Sequence, residues 1–587
     1  MSTASTSALP QRWIFSDNPP GEAAELSRSA ELPLVVAELL TARGVRTLGE
    51  VERFLAPSID HLLDPGSMLG MTVAVKRVEQ AILRRETVLI YGDYDVDGTT
   101  AVVLLKTAIE MLGGVVRFHV PHRLREGYGM QREVLELAAS EGVQLVISVD
   151  TGIRAFAAAE AAATLGIDLI VTDHHLPDPA LGLPPALAVL NPNQPSCGYE
   201  CKHLCGAGVA FKLAQALLES PQSGLDKQRV RSKLLPSFLK MLAIATVADA
   251  VPLVGENRVI AALGLEELRR PVNPGLRALM QVAQIDPARK LTAMDIGFRL
   301  GPRINAAGRM DIASDVVELF TTRNPQRAQE LAAKLEQLNI DRRQTEAQAL
   351  DEILQRIEED GFRDARCIVI DGDGWHRGVI GILASRIVDR VGKPALVLTN
   401  EDGEAYGSGR SIAGFHLLEA IESCRTLFTR FGGHAHAVGF SLPSERVPEL
   451  RERLTAYAAK HISENMLGAP LRCHAMLELE RITPALFSWI RRLEPLGMGN
   501  EDPVFVARNV RIASAPRYMK EQHLRLRLAQ GTRGASFSAL GWRWAERAQK
   551  MGLAEGQIIH VAYRLRENEH PEFGGPELEI ADIDPAA

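Results

Sequence analysis

Three apolar runs early in this chain each end abruptly in side chains able to bind metal ions. Val88-Leu89-Ile90-Tyr91 leads into Gly92-Asp93-Tyr94-Asp95-Val96-Asp97-Gly98. Leu145-Val146-Ile147-Ser148-Val149 leads into Asp150-Thr151-Gly152, and Asp168-Leu169-Ile170-Val171-Thr172 into Asp173-His174-His175. Helix-like stretches separate the runs. Strands alternating with helices predict a parallel α/β sheet, whose sites lie beyond the carboxyl ends of the strands. Asp95, Asp97, Asp150 and His174 are therefore expected to converge on one edge of that sheet. A single acid at a strand end is usually a cap or a turn residue, but three such ends with metal-capable side chains are not explained that way. Carboxylates at alternate positions repel one another unless cations sit among them, and oxygen ligands suit Mg²⁺ and Mn²⁺.

Taken in order, these motifs resemble the DHH phosphoesterase superfamily, named for the triplet Asp173-His174-His175. Ala248-Asp249-Ala250-Val251-Pro252 is similar to that family's fourth motif. Gly301-Pro302-Arg303-Ile304-Asn305-Ala306-Ala307-Gly308-Arg309 is similar to a segment of its RecJ exonuclease branch. Trp375-His376-Arg377-Gly378 and Phe431-Gly432-Gly433-His434 resemble the accessory DHHA1 domain. The matching motifs run from about residue 88 to about 440, and no expected ligand position is replaced. The resemblance implies two divalent ions, Mn²⁺ or Mg²⁺. Asp150 would bridge them, with Asp95, Asp97, His174 and Asp249 completing their shells. Asp93 is a ligand or an outer partner; its spacing leaves both open. Carboxylate and imidazole ligands without thiolate favour Mn²⁺ or Mg²⁺ over zinc. His175 is expected to act with Asp150 in catalysis, against the scissile phosphate.

The second half of the motif set suggests phosphate binding. Tyr406-Gly407-Ser408-Gly409-Arg410-Ser411 sets a guanidinium among small residues, and Gly432-Gly433-His434 sets flexible amides beside an imidazole. Close backbone approach plus a guanidinium is how phosphate oxygens are held. Ser408, Arg410, Gly432, Gly433 and His434 are thus candidate substrate contacts, and Arg123, Arg303 and Arg377 are further candidates. By resemblance, some of these form a pocket for a terminal 5′-phosphate.

At 587 residues the chain is expected to hold several domains. The expected order is a lead-in at 1–69, a parallel-sheet α/β DHH domain at 70–324 and a long connecting helix at 325–362. A smaller α/β DHHA1 domain at 363–465 follows, and the resemblance implies an OB-like β domain at 466–587. The connecting helix is read from the stripe Leu331, Leu335, Leu338. No apolar run approaches the ~20 residues of a membrane span, and the Ser/Thr-rich start lacks the pattern of a secretory signal. Six cysteines in so long a chain suggest a reducing compartment, simplest as the cytoplasm. Cys197, Cys201 and Cys205 lack the distant second pair of a zinc site and read as small packed thiols.

The net charge of −7 argues against a nucleic-acid partner until its distribution is considered. Between 504 and 550, Arg508, Arg511, Arg517, Lys520, Arg525, Arg527, Arg533, Arg543, Arg547 and Lys550 face only Glu521 and Glu546. Phe505, Tyr518, Phe537, Trp542 and Trp544 are interleaved with them. Leu524-Arg525-Leu526-Arg527-Leu528 has the period of a half-buried strand. Basic strands with exposed rings suit single-stranded nucleic acid, although any one ring is more often core.

The expectation is a metal-dependent exonuclease of single-stranded DNA. Its 5′→3′ polarity, mononucleotide products and role in recombination and repair come from the resemblance. So do single-stranded-DNA-binding protein and a helicase as partners. One copy of each part suffices for a monomer, and no membrane is involved. The alternatives are a phosphodiesterase of short oligonucleotides or cyclic dinucleotides, which needs no basic C-terminal region, and a non-catalytic scaffold, which would have lost its ligands.

Overall fold

Between residues 87 and 190 five short apolar segments pair side by side, all parallel. They are β1 (Thr87–Tyr91), β2 (Val115–His119), β3 (Leu145–Val149), β4 (Asp168–Thr172) and β5 (Ala188–Leu190), in the order β2-β1-β3-β4-β5. The computed structural model describes residues 13–15, 20–123, 125–127, 129–359, 362–467, 470–531, 535–568 and 574–585. The first twelve residues and Arg533 lie outside them. β1, β3 and β4 are rich in Val, Ile and Leu and buried almost throughout, as strands covered on both faces must be. Helix α1 (Val96–Met111) packs on one face, and helices Arg132–Ser140 and Phe156–Thr164 on the other. Tyr91 pairs with Ser148, and Val149 with Thr172. The loops starting at Gly92, Asp150 and Asp173 therefore leave the sheet at one level. Strand order reverses between β1 and β3, which is where sheets of this order open a crevice.

From Gly206 to Glu359 the regular structure is helical. It includes α2 (Gly206–Glu219), α3 (Leu235–Ala248), α4 (Gly301–Met310) and α5 (Pro325–Glu359). α3 and α4 each follow a π-helical turn, Val230–Leu234 and Ile296–Leu300. Helix α5 has 35 residues and is about 50 Å long at 1.5 Å per residue. Ala328, Leu331, Ala332 and Leu335 bury into the first core, while Ala349, Ile353 and Ile357 bury into the next. The connecting helix is thus a wall shared by two cores.

The second sheet runs β9-β10-β8-β7-β6, from β6 (Ile368–Asp373), β7 (Ala395–Glu401), β8 (Glu404–Arg410), β9 (Arg430–His434) and β10 (Ala437–Pro443). Only β6 and β7 pair in parallel. Helix α6 (Ile380–Val391) lies on one face of this sheet. The last domain is an OB-like barrel, from β11 (Phe505–Ile512), β12 (His523–Gln530), β13 (Ala535–Gly541), β14 (Ile558–Asn568) and β15 (Gly575–Pro585). Pairing of Arg511 with Ala529 and of Ile512 with Leu528 closes it. In β12, Leu524, Leu526 and Leu528 point inward and Arg525 and Arg527 outward.

The N-terminal segment does not stand apart from this barrel. Leu26, Val36, Leu39, Leu40 and Val51 share its hydrophobic core. Trp13–Phe15 pairs in parallel with Leu471–Cys473, and Trp13 Nε1 donates to Asp582 Oδ2 at 2.6 Å.

Candidate metal centre

The loop after β1 is folded by its own carboxylates. Asp95 caps α1, accepting from Asp97 N at 2.9 Å and Gly98 N at 3.0 Å. Gly98 packs so closely that a Cβ there would lie 2.6 Å from the Asp93 backbone. Asp97 points the other way, to the start of α2, where it accepts from Gly206 N (2.6 Å) and Ala207 N (2.9 Å). That helix N-terminus is a natural seat for an anion. Asp150 has φ 59°, a left-handed conformation uncommon for a non-glycine residue and typical of residues held in place by a site. Asp173 is buried. It accepts from Ile153 N at 2.9 Å and from His175 Nδ1 at 2.7 Å.

Three ligand groupings result. Asp93, Asp95 and Asp150 converge, as do Asp97, His174 and Asp249, and Asp150, His174 and His175; in each, the donor atoms lie within 4.8 Å of one another. His174 Nε2 is 3.3 Å from Asp150 Oδ1, 3.9 Å from Asp97 Oδ2 and 4.0 Å from Asp249 Oδ2. At an effective dielectric near 20, two like charges about 4 Å apart repel by about 4 kcal/mol. Burial, then Asp97, Asp95, Asp93 and Asp249, push the Asp150 carboxyl far above the usual range. Burial and Asp95 do the same to Asp93, and burial with Asp97 and Asp95 carries Asp249 up to about 9. Burial holds His174 below its ordinary pKa, favouring the neutral, ligating imidazole. Asp93 Oδ1 and Asp150 Oδ1 are buried with no hydrogen-bond partner among the described residues. Clustered carboxylates with orphaned oxygens, a neutral imidazole and no thiolate fit hard divalent cations.

His175 differs from its neighbour. Burial opposes its charge, but the Asp173 hydrogen bond and the nearby carboxylates outweigh that and raise it to about 9. In the metal-free chain the Asp173 contact therefore favours the protonated imidazole.

A cationic wall stands near the carboxylates. The Arg123 guanidinium lies 5.0 Å from the Tyr94 ring centre. Arg309, from α4, donates to Gly378 O at 3.1 Å, which ties the two α/β domains together. Arg410 donates to Ser408 Oγ (3.1 Å) and Gly409 O (2.8 Å). A Cβ on Gly381, in the first turn of α6, would lie 3.2 Å from Arg410 Nη2. Burial, then Arg123 and Arg342, lower Arg309 to about 10, and burial with Arg123 lowers Arg410. These guanidinia are close enough to sense one another. His434, on β9 beside Gly432 and Gly433, is lowered by burial and then by His436, Arg410 and His175. Tyr406, Ser408 and Arg410 alternate along β8 and share a face; Arg377 stacks 3.5 Å over Tyr406, extending that face.

Profiles of known families match the three folded units. The DHH family, N-terminal domain, covers residues 87–246, the DHHA1 domain 364–460 and the RecJ OB domain 473–582. The single-stranded-DNA-specific exonuclease RecJ of Bacillus subtilis (strain 168) is 36% identical over 579 residues, 98% of this chain and 71% of the relative. That of Escherichia coli (strain K12) is 36% identical over 488 residues, 81% of this chain and 83% of the relative. The crystal structure of RecJ with Mn²⁺ from Thermus thermophilus superposes with a TM-score of 0.82 at 29% identity, covering 98% of this chain and 80% of that one. The chain belongs to the RecJ family.

Within this RecJ fold one expected contact is engaged elsewhere. Arg303 forms a two-pronged bridge to Glu336, with Nη2 to Oε1 at 3.1 Å, and donates to Arg299 O, strapping α4 to α5. Six residues of helix turn separate it from Arg309, so the two point about 120° apart. Arg309 faces the cleft and Arg303 does not. Asn191 and Asn193, which sequence reasoning missed, brace the histidines: their amides donate to His175 O (2.8 Å) and His174 O (2.9 Å). Ala188-Val189-Leu190 ending in Asn191 and Asn193 repeats the pattern of the first three strand ends, which was the available signal. Asn305 accepts from Val96 N at 3.1 Å and steadies the start of α1. Cys197 and Cys201 pack against the catalytic core and Cys205 is buried; among the described residues none joins a metal-binding group.

The RecJ barrel carries a groove of about 750 Å³ whose lining includes Arg517, Arg525, Arg527 and Phe537. Tyr518 and Trp542 are exposed, whereas Phe505 and Trp544 are core.

Proposed function

We propose that this protein is a metal-dependent exonuclease that degrades single-stranded DNA from the 5′ end to mononucleotides, in recombination and repair. One observation carries the reading. Asp93, Asp95, Asp97, Asp150, His174 and Asp249 converge at the sheet's switch point with orphaned oxygens among them, beside a wall of arginines from both α/β domains. Asp95, Asp97, Asp150, His174 and Asp249 would hold two divalent ions, with Asp150 between them and Asp93 as ligand or outer partner. The structures of the Thermus relative with Mn²⁺ and with Mg²⁺ support those metals. When bound, such ions supply positive charge for phosphoryl oxygens and lower the pKa of a water.

The chain's own residues do the rest. His175, kept charged and oriented by Asp173, meets the negative charge that develops at the scissile phosphate. Arg123, Arg309, Arg377, Ser408, Arg410 and the Gly432-Gly433-His434 edge hold the terminal 5′-phosphate. The barrel's guanidinia follow the backbone while Tyr518 and Trp542 offer faces to bases. We extend the reading to single-stranded-DNA-binding protein and a helicase as partners, to a monomer, and to the cytoplasm, which six unpaired cysteines suit. Among the described residues no helix is long and apolar enough to cross a membrane.

Digestion of a 5′-phosphorylated, 3′-labelled single strand with Mn²⁺, beside its duplex and an EDTA control, tests this reading. Progressive shortening of the labelled strand, for single strands with metal only, is expected. Intact long strands alongside cleaved dinucleotides would assign the small-molecule phosphodiesterase instead.

A further inference from the structure

A buried arginine outside the metal centre has no carboxylate partner among the described residues. Arg258 is 3% exposed, and its guanidinium lies 3.7 Å over the Phe54 ring. It donates to Phe54 O, Leu493 O and Glu494 O, each at 2.9 Å. Its rigid fork is thus committed to carbonyls of the N-terminal segment and of the turn entering the C-terminal barrel. Asn500 grips the same turn, donating to Leu493 O and Pro495 O at 2.8 Å, and Arg43 Nε donates to Asn500 Oδ1 at 2.7 Å.

The other side of this turn abuts the segment that follows Asp249. Leu253 N donates to Met498 O at 2.7 Å. Gly499 has φ +68°, and a Cβ there would lie 3.0 Å from Pro252 Cβ; one on Gly497 would lie 2.7 Å from Leu253 Cδ1. Between Asp249 and Pro252, Ala250 is held at φ 56°, a conformation that persists in a non-glycine residue where its surroundings impose it. Asp249 is less enclosed than Asp97 or Asp150. Its side chain is 26% exposed, against 1% for Asp97 and 3% for Asp150. Asp97 is gripped by two amides of α2, whereas among the described residues no hydrogen bond holds the Asp249 carboxylate.

We propose that Arg258 and the 493–500 turn are positioning elements for Asp249, so that the C-terminal barrel helps to assemble the metal centre in the other domain. The inference rests on Asp249 being a ligand, as read above. Binding of DNA to the barrel and binding of metal to the catalytic domain are then linked through the turn.

Mn²⁺ titration of the metal-free full-length chain, followed by electron paramagnetic resonance of the free ion, tests this without recourse to cleavage. Asp249→Ala is expected to weaken Mn²⁺ binding. Arg258→Ala and Gly499→Val should weaken it too, roughly 10-fold, as loss of an outer-layer support does. Arg258→Lys should recover part of the affinity, and each chain should still unfold cooperatively. Should Arg258→Ala fail to fold, Gly499→Val and Arg258→Lys decide the matter. Undiminished Mn²⁺ affinity in the folded Arg258 and Gly499 variants, with Asp249→Ala impaired, overturns the coupling. Undiminished affinity in Asp249→Ala as well overturns it by removing the ligand assignment beneath it.

Discussion

Without metal, the fold holds Asp249 and Asp150 protonated, and this costs stability as pH rises. Asp249, at about 9 in the folded chain, titrates near 4 when unfolded. The native state therefore retains a proton that the unfolded state releases. Stability from that proton is full below about pH 4 and is lost as pH rises toward about 9. In EDTA, Asp249→Asn should exceed the parent chain in unfolding free energy by a margin that widens from about pH 6 to about pH 8. The widening is at most about 1.4 kcal/mol per pH unit, and saturating Mn²⁺ should abolish it. Denaturant titrations at several pH values measure the margin. Asp97→Ala and Asp150→Ala should each abolish cleavage with the fold intact, read by digestion assay and circular dichroism; activity surviving in either would exclude that residue from the centre. Asp173→Asn acts at one remove, because Asp173 holds both histidines, accepting from His175 Nδ1 and His174 N. It should lower kcat about 10- to 100-fold, and Mn²⁺ affinity should fall as well, because Asp173 also accepts from His174 N. An unaltered kcat would show that the His175 imidazolium is not used.

Elements bring these residues together through close backbone approach. The first turn of α2 supplies the amides for Asp97, and a Cβ on Gly206 would lie 2.4 Å from Asp150 Cβ and Oδ1. Gly206→Ala therefore has to push Asp150 or the helix away from the β1 loop. The expected outcome is Mn²⁺ binding weaker by about 10-fold or more with a modest loss in melting temperature, on the scale of an overpacked core. A calorimetric titration that matches the parent chain would count against the tight helix-to-loop approach. At this scale much was legible in advance. The ligand-bearing strand ends needed only a short window, because a buried parallel strand and its polar terminus lie within about ten residues of sequence. Helix phase was harder to read: Arg303 and Arg309 share one motif, yet only Arg309 reaches the cleft.

The whole molecule is closed by contacts between its ends. Leu26, Val36, Leu39 and Leu40 complete the barrel core, and Trp13 bonds to Asp582. Deleting 470–587 alone should expose that apolar face and give an aggregating chain, whereas deleting residues 1–55 as well should restore solubility. Light scattering distinguishes the two. The doubly trimmed chain should cleave short oligonucleotides only at raised Mn²⁺, because the turn behind Asp249 leaves with the barrel. Even then it should show a raised KM for long single strands, because the basic groove is gone and each lost phosphate contact weakens binding. A KM for long strands equal to that of the parent would remove the barrel from the substrate path.

The alternation of strands and helices, the convergence of Asp95, Asp97, Asp150 and His174 at one sheet edge, the metal class and the basic alternating strand of the barrel were determined by sequence alone. Each is a local pattern: a period of apolar residues, or polar side chains where a strand must end. Tertiary structure decided which arginines face the carboxylates, how Asn191 and Asn193 brace the histidines, and that the N-terminal helices belong to the barrel. It also decided that Arg258 sits on the turn behind Asp249. Those outcomes depend on helix phase and on packing between residues hundreds of positions apart, and no short stretch of chain encodes the direction in which a neighbouring element will arrive.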